Sequence, residues 1–225
     1  MDNKLTCFPE VITKLTKLKE LSLSKNQIAE IPQTIEKLQD LEVLNFRDNK
    51  LSCFPETITR LKKLKVLKLS KNKIVEIPEA IKKLEQLEEL DLSSNRINKI
   101  PDEVSFLENL HALNLQENNL REIPARITRL RKDLKLTVSE NPIHMPPLEI
   151  AISGMEAIEN YFNSMQQGAS EELFEVKLNL VGEGSVGKTC VAKKLKDKSH
   201  QIAINEISTE GIDIEKMAHS MRCQW

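Results

Sequence analysis

The chain has 225 residues and a net charge of −1, and it is 40% hydrophobic but only 4% aromatic. This length allows a repeat array followed by part of a second domain, or one or two compact domains. The balance of basic and acidic residues argues against a nucleic-acid-binding protein, which usually has a strongly basic face. No segment approaches the roughly 18 consecutive apolar residues of a membrane helix. The N-terminus lacks the apolar core of a signal peptide, so we expect neither a membrane span nor export.

An internal period of 23 residues governs the first two-thirds of the chain. One unit reads Leu18-x-x-Leu21-x-Leu23-x-x-Asn26-x-Ile28-x-x-Ile31-Pro32-x-x-Ile35-x-x-Leu38. The proline and asparagine columns recur without a slip, at Pro9, Pro32, Pro55, Pro78, Pro101, Pro124 and Pro147, and at Asn26, Asn49, Asn72, Asn95, Asn118 and Asn141. The unit matches the L-x-x-L-x-L-x-x-N-x-L pattern of leucine-rich repeats, which predicts a solenoid with a parallel sheet on its concave side.

Each repeat predicts a short strand and a return segment. Leu21 and Leu23 alternate with polar residues, as in a strand with one buried face, so the strands should centre near Leu21–Leu23 and its equivalents. The side chain of Asn26 can hydrogen-bond to the backbone of a turn. Pro32 fixes φ and suits the first position of a helical turn on the convex side. We therefore interpret the asparagine and proline columns as structural.

The strand positions that are not leucine form the predicted concave surface. They make three columns: Glu20, Val43, Val66, Glu89, Ala112 and Lys135; Ser22, Asn45, Lys68, Asp91, Asn114 and Thr137; and Ser24, Arg47, Ser70, Ser93, Gln116 and Ser139. This surface is polar and of mixed charge, without the aromatic cluster that marks many interface hot spots. A protein partner on this face is one interpretation, and a solvated face without a ligand is the other.

Both ends of the array depart from the pattern. The chain enters the repeat at Phe8-Pro9, and Asp133 stands where a leucine is expected, with Leu134 beside it. Cys7 and Cys53 occupy equivalent positions two repeats apart, so their Cα atoms should be about 10 Å apart. This exceeds the disulfide limit of about 7 Å, and no cysteine spacing suggests a metal site. We expect a reduced, cytoplasmic protein.

After the repeats of residues 1–146 the apolar period becomes helical. Residues 147–166 predict one amphipathic helix that covers the last coil, with Pro147 at its first position. The polar segment 167–173 predicts a linker.

A phosphate-binding motif follows the linker. A strand-like segment, 174–181, leads into a full G-x-x-x-x-G-K-[ST] match, and a helical pattern follows it. The expected nucleotide-binding residues are Gly182, Glu183, Gly184, Ser185, Val186, Gly187, Lys188, Thr189 and Cys190. The glycines let backbone N–H groups surround the phosphates, and the helix N-terminus favours the same anions. Lys188 can reach the β- and γ-phosphates, and the Thr189 hydroxyl can bind Mg²⁺, whereas Cys190 suits helix packing better than a reactive thiol.

Four features follow one another along the chain. They are Ile-Pro repeats of prokaryotic type, the Asn141-Pro142-Ile143 to Ile150 segment, a helix near Tyr161-Phe162 and then the P-loop. Their order resembles that of Roco proteins. That family places leucine-rich repeats before a Ras-like Roc GTPase domain and a dimerising COR domain. Residues 208–214 resemble its T-x-G-I-x-I switch I segment. The resemblance implies a signalling scaffold that binds GTP or GDP with Mg²⁺, with Thr209 completing the metal shell. It also implies a dimeric parent protein.

The sequence departs from a complete Ras-like domain. No glycine follows Gly211, so a D-x-x-G segment is missing. Asn205 is the only asparagine after Thr189 and is followed by Glu206, so N-K-x-D is missing too. The whole sequence therefore predicts an α/β fold: a leucine-rich-repeat solenoid, a capping helix, and an incomplete P-loop GTPase segment over 174–225. Two alternatives remain, a non-enzymatic repeat module with a vestigial P-loop and an ATP-using P-loop protein. No H-R-D or D-F-G segment supports a kinase.

Overall fold

The computed structural model describes residues 4–166 of the chain. Within them, six 3-10 helices alternate with six strands, and two α-helices follow. The 3-10 helices are Glu10–Lys14, Gln33–Lys37, Glu56–Arg60, Glu79–Lys83, Asp102–Phe106 and Ala125–Arg129. The strands are β1 Glu20–Ser22, β2 Val43–Asn45, β3 Val66–Lys68, β4 Glu89–Asp91, β5 Ala112–Asn114 and β6 Lys135–Thr137. The α-helices are α1 Leu148–Ile152 and α2 Met155–Gln166. None of these helices is long and apolar enough to cross a membrane.

The strands form one parallel sheet in chain order, from β1 to β6. Leu21 pairs with Leu44 and Leu44 with Leu67, so the register advances by one repeat per strand. This confirms the predicted solenoid, although each strand centres on the first leucine of its pair, one residue earlier than expected. The core is a stack of aliphatic layers in which nearly all of the paired leucines are buried. Leu136, in the last strand, is only partly buried but still packs against this core.

The asparagine column joins neighbouring coils. The amide nitrogen of Asn49 donates hydrogen bonds to the carbonyl oxygens of Leu23, one coil earlier, at 2.9 Å and of Phe46 at 3.1 Å. Its oxygen accepts a hydrogen bond from the backbone N–H of Ile28 at 3.0 Å. The same bonds recur at Asn72, and all six asparagines are buried or nearly so. Each side chain therefore satisfies backbone groups that stacked coils would otherwise bury without partners.

The residue before each asparagine adopts a left-handed backbone, with φ between 53° and 59°. These residues are Lys25, Asp48, Lys71, Ser94, Glu117 and Glu140. A residue other than glycine adopts this backbone conformation at a cost of roughly 1–2 kcal/mol. Because the turn brings the asparagine into position to bond with two coils, the surrounding hydrogen bonds offset that cost.

The proline column begins the 3-10 helices, although one position earlier than predicted. Pro32 lies at the N-cap of the helix Gln33–Lys37 with an extended backbone, and the prediction that it occupies the first helical position is wrong. Its carbonyl accepts the N–H of Ile35 at 3.1 Å, so proline contributes the acceptor that closes the first turn. Where phenylalanine replaces isoleucine before the proline, ψ falls from 155° at Pro32 to 94° at Pro9 and 97° at Pro55.

In the sixth coil, the turn that precedes the strand forms one residue later in the repeat, which accommodates Asp133. In the preceding coil the N–H of Leu110 donates to the carbonyl of Leu107, whereas here Leu134 donates to Arg131. Leu134 is buried and fills the place of the expected leucine. Asp133 turns outward and accepts two hydrogen bonds from the guanidinium of Arg131, both at 2.9 Å.

Two helices, rather than the single predicted helix over 147–166, follow the last coil. Gly154 has φ of 108°, a conformation that no α-helix contains, so it separates α1 from α2. Pro147 is the N-cap of α1, not its first residue as predicted. Met155 and Ile158 are buried, and α2 packs against the last 3-10 helix. The pair therefore covers the end of the aliphatic stack.

Candidate functional site: the strand face

The exposed side of the sheet carries the predicted concave columns, and we call it the strand face. In β1 the burial pattern is exposed, buried, exposed, and in β2 to β5 the outer positions are half-buried around a buried leucine. The parallel register aligns equivalent positions of neighbouring repeats side by side. Adjacent strands lie about 4.8 Å apart, so each column forms a continuous row of side chains.

The first column has an apolar centre between acidic neighbours. Val43 lies beside Val66 in the register, and both are half-buried. Glu20 lies beside Val43, and Glu89 lies beside Val66. Two adjacent β-branched side chains on a sheet offer apolar contact area, and the Glu20 carboxylate beside them can select the charge of a ligand.

The second column is largely engaged in holding its own turns. The side-chain oxygen of Asn45 accepts the backbone N–H of Arg47 at 2.9 Å, and Asn114 does the same for Gln116 at 3.1 Å. Asp91 accepts both the N–H and the hydroxyl of Ser93, at 3.1 and 2.7 Å. Sequence reasoning treated this column only as surface and missed this role. The sequence signal for this role is that Asn or Asp recurs in the column, because the side chain of either residue can accept the backbone N–H two residues later.

Three members of the columns are less available to a partner than expected. Lys68 forms an ion pair with Glu89 at 3.1 Å, so these two charged groups in the middle of the strand face neutralise each other. Ser70 is only 1% exposed, so its assignment to the contact surface is wrong. Val43, Val66 and Arg47 remain the exposed or half-buried groups at the centre of the face.

The segments just before the first three strands carry a regular set of ion pairs. Asp40 lies between Lys17 at 3.4 Å and Lys63 at 2.7 Å, and Glu42 lies between Lys19 and Lys65 in the same way. The hydrogen bond and charge of Lys63, followed by Lys17, lower the pKa of Asp40. Lys65 and then Lys19 lower the pKa of Glu42. We call this set the ion-pair ladder.

The predicted phosphate site lies outside the described residues. This applies to the linker 167–173, to residues 182–190, and to the two expected magnesium ligands, Thr189 and Thr209. Within residues 4–166, no group of three or more His, Cys, Asp or Glu side chains is arranged to hold a metal ion. Cys7 and Cys53 are both free and exposed.

Comparison with known families identifies the repeats. Residues 4–95 match the profile described as "Leucine-rich repeat region", and residues 85–143 match the profile described as "Leucine rich repeat". Together these matches span the strands and 3-10 helices of the solenoid. No curated protein matches the chain.

Solved structures share the fold of this region. A leucine-rich-repeat protein of Leptospira interrogans is 39% identical, with a TM-score of 0.60 over 62% of this chain and 36% of its own. The ectodomain of the Arabidopsis thaliana receptor kinase GASSHO1/SCHENGEN3, solved with CASPARIAN STRIP INTEGRITY FACTOR 2, is 38% identical, with a TM-score of 0.56 over 61% and 17%. The plant peptide hormone receptor RGFR1, solved with RGF2, is 31% identical, with a TM-score of 0.55 over 61% and 23%. The chain thus covers 17% to 36% of the lengths of these proteins.

Proposed function

We propose that the leucine-rich-repeat solenoid of this chain binds a protein or peptide partner on its strand face. The observation that carries this proposal is the apolar pair of Val43 and Val66, which lies on an open, regular sheet between charged neighbours. The sheet positions its columns rigidly, so little side-chain or backbone ordering opposes binding. Two of the structurally similar proteins were solved with peptide or protein ligands, which supports the same use here.

We further propose that this solenoid belongs to a GTP-binding regulatory protein of the Roco kind, acting in the cytoplasm as a dimer. The support is the sequence order of repeats, capping segment and P-loop, together with the switch I-like segment at 208–214. In this proposal residues 182–190 bind Mg²⁺-GTP or GDP, Lys188 contacts the β- and γ-phosphates, and Thr189 and Thr209 bind the magnesium ion. Nucleotide state then regulates a partner bound to the repeats.

A second candidate function is a repeat module that binds its partner without nucleotide. It is favoured by the Val43–Val66 pair on the strand face, which offers a contact surface that needs no nucleotide. The two candidates share partner binding on the strand face and differ only in nucleotide binding.

Partner binding is tested by site-specific photo-crosslinking. A benzophenone amino acid replaces Val66 on the strand face or, as the control, Lys83 at the end of a 3-10 helix. The proposal expects Val66 to crosslink a discrete protein that Lys83 does not reach. With that protein purified, Val66→Asp should weaken binding at least about tenfold, because the substitution places an unpaired carboxylate in the apolar contact. Equal crosslinking from both positions, or full affinity of the variant, would contradict the proposal.

Nucleotide binding is tested by titrating fluorescent GTP and ATP with Mg²⁺ into the parent protein that the Roco proposal implies and into its Lys188→Ala variant. A charge-assisted hydrogen bond typically contributes about 1.5–3 kcal/mol, so the substitution should lower nucleotide affinity at least about tenfold. The melting of the repeats should hardly change, because coils contact mainly their neighbours. Identical affinity of the two chains, or no binding by either, would favour the module without nucleotide.

A further inference from the structure

A row of basic side chains lies on the turns that follow the strands. It occupies the first four coils and consists of Lys25, Arg47, Lys50, Lys71, Lys73 and Arg96. All six residues are exposed, and we call them the basic turn edge. Asp48 is the one carboxylate at the same turn positions of these coils. A concentration of positive charge of this kind is notable in a chain whose net charge is −1.

The basic turn edge differs from the ion-pair ladder at the other ends of the same strands. In the ladder each carboxylate bridges two lysines, as Asp40 does with Lys17 and Lys63. Among the described residues, no carboxylate lies within ion-pair distance of any of the six cations on the turn edge. Lys50 contacts only a neutral group, the side-chain oxygen of Gln27 at 2.8 Å. Like charges on adjacent coils repel one another, so these side chains favour an external anion.

The backbone holds the turn edge at a fixed spacing. Lys25 donates its N–H to the carbonyl of Arg47 at 2.8 Å, and Lys71 donates to Ser93 at 2.9 Å. Lys73 donates to Leu51 in the preceding coil at 2.8 Å. The coils therefore stack at the strand spacing of about 4.8 Å, which gives about 14 Å from Lys25 to Arg96. An extended polypeptide covers that distance with about four residues.

The sign of the charge reverses beyond the fourth coil. At the same turn positions the fifth and sixth coils carry Glu117 and Glu140 and no basic residue. A duplex nucleic acid lying along this edge would bring phosphates against both glutamates, and the edge has no aromatic side chain on which bases could stack. A flat anionic membrane would meet the same repulsion. The reversal limits the anion to a short segment.

We propose that the basic turn edge binds an acidic stretch of about four residues in a protein partner, whose continuation is cationic and meets Glu117 and Glu140. Charge complementarity along the six coils sets the orientation of that segment. Arg47 belongs to both this surface and the third strand column, and the other five residues lie beyond the strand columns. The proposal therefore stands whether or not Val43 and Val66 contact a partner.

The test measures binding of a labelled peptide to the full chain by fluorescence anisotropy at low salt. The peptide has four glutamates, a Gly-Ser spacer and two lysines, and a second peptide has the same residues with the charges intermixed. The proposal expects the block peptide to bind at least threefold more tightly than the intermixed one, with affinity that falls as salt is added. Equal binding of the two peptides, or no binding, would overturn the proposal.

Charge-reversal variants locate the binding. Arg47→Glu, Lys71→Glu and Lys73→Glu together should weaken block-peptide binding at least tenfold. The matched control makes the same change in net charge on the 3-10 helices, with Lys14→Glu, Lys37→Glu and Lys83→Glu, and should weaken it less than threefold. Lys71→Glu is compatible with the fold because Glu117 adopts the same left-handed backbone. An equal loss in the control would show that only net charge matters and would overturn the proposal.

Two further measurements separate the classes of partner. Glu117→Lys with Glu140→Lys should abolish the preference for the block peptide, and Lys is compatible there because Lys25 and Lys71 have that backbone. Duplex DNA and phosphatidylcholine vesicles with 30% phosphatidylserine serve as competing anions. If either binds through the turn edge more tightly than the block peptide, the assignment to an acidic polypeptide is wrong. Weaker binding of both supports it.

Discussion

The side-chain amide of Asn72 donates a hydrogen bond to the carbonyl oxygen of Phe46, one coil earlier, at 3.0 Å. The same amide donates to Leu69 at 3.0 Å, and its oxygen accepts the N–H of Leu51 at 3.0 Å. One side chain thus satisfies three buried backbone groups in two coils. Equivalent bonds at Asn95 and Asn118 repeat this arrangement along the solenoid.

Asn72→Ala should lower the free energy of unfolding by about 2–4 kcal/mol. The substitution leaves buried backbone groups without partners, and each such group costs roughly 1–3 kcal/mol, part of which water and small shifts recover. Urea denaturation followed by circular dichroism measures the change. Asn98→Ala is the control, because Asn98 is exposed and should change stability by less than about 0.5 kcal/mol. Equal effects of the two substitutions would contradict the structural role of the column.

A pair of equivalent leucines tests the aliphatic stack. Leu84 is 1% exposed in the fourth repeat, whereas Leu15, at the same repeat position in the first, is 57% exposed. Leu84→Ala should cost about 2–5 kcal/mol of stability as a core cavity. Leu15→Ala should cost less than about 0.5 kcal/mol because little buried area is lost. A cost at Leu15 that matched the cost at Leu84 would mean that the first coil is covered in solution.

The ion-pair ladder predicts the sign of one pH effect. The pKa values of Asp40 and Glu42 are lowered in the folded chain, so these groups bind protons less readily there than in the unfolded chain. Their contribution is therefore present above the unfolded pKa values and is lost as the pH falls through the folded ones. Asp40→Asn with Glu42→Gln should be less stable than the natural chain at pH 7.

That stability difference should shrink as the pH falls below the ordinary carboxyl pKa of about 4, and it should disappear below the lowered pKa values of Asp40 and Glu42. It should also shrink in about 1 M salt, because the ladder is exposed and the Debye length falls to about 3 Å. Thermal melting of both chains across this pH range is the measurement. A difference that persisted at low pH would assign the effect to packing and not to charge.

Gly154→Ala tests the break between the two C-terminal helices. An added Cβ at Gly154 meets nothing within 4 Å, so any loss of stability arises from φ of 108° and not from a clash. A side chain held in such a conformation costs roughly 1–3 kcal/mol. Asn163→Ala in α2 is the control and should be neutral, since Asn163 is exposed. Neutral behaviour of Gly154→Ala would show that α1 and α2 can rearrange.

Much of the solenoid could be predicted because its signals are periodic. The alternation around Leu21 predicts a strand, and the exact recurrence of that pattern predicts parallel pairing with Leu44. The left-handed turns could not be predicted, since Lys25 and Glu117 have no intrinsic preference for φ near 56°. Bonds between coils impose that conformation, and local propensity gives no sign of it.

At the C-terminal helices, the periodic pattern predicted too regular a structure. An apolar stripe over 147–166 continues through Ser153-Gly154, so periodicity alone predicts one helix. A single glycine in the pattern separates the two helices. Because an isolated glycine is also tolerated inside helices, its presence does not predict the break. On the strand face, the repeat period and the alternation around the leucines identified the exposed columns. The recurrence of Asn or Asp at Asn45, Asp91 and Asn114 was the available signal that these side chains bind their own turns, but the repeat period alone does not distinguish a bonded side chain from a free one.

The bonds that join the coils also fix how this molecule can change in length. From the second coil onward, the asparagine donor and the carbonyl it reaches in the preceding coil are separated by 26 positions, as for Asn49 with Leu23 and Asn118 with Leu92. Excision or duplication of whole 23-residue blocks preserves that separation at the junction, whereas loss of part of a block changes it. We therefore expect tolerated changes of length to favour complete coils. Each added coil lengthens the sheet by about 4.8 Å and presents a new set of surface positions that can diverge independently of its neighbours.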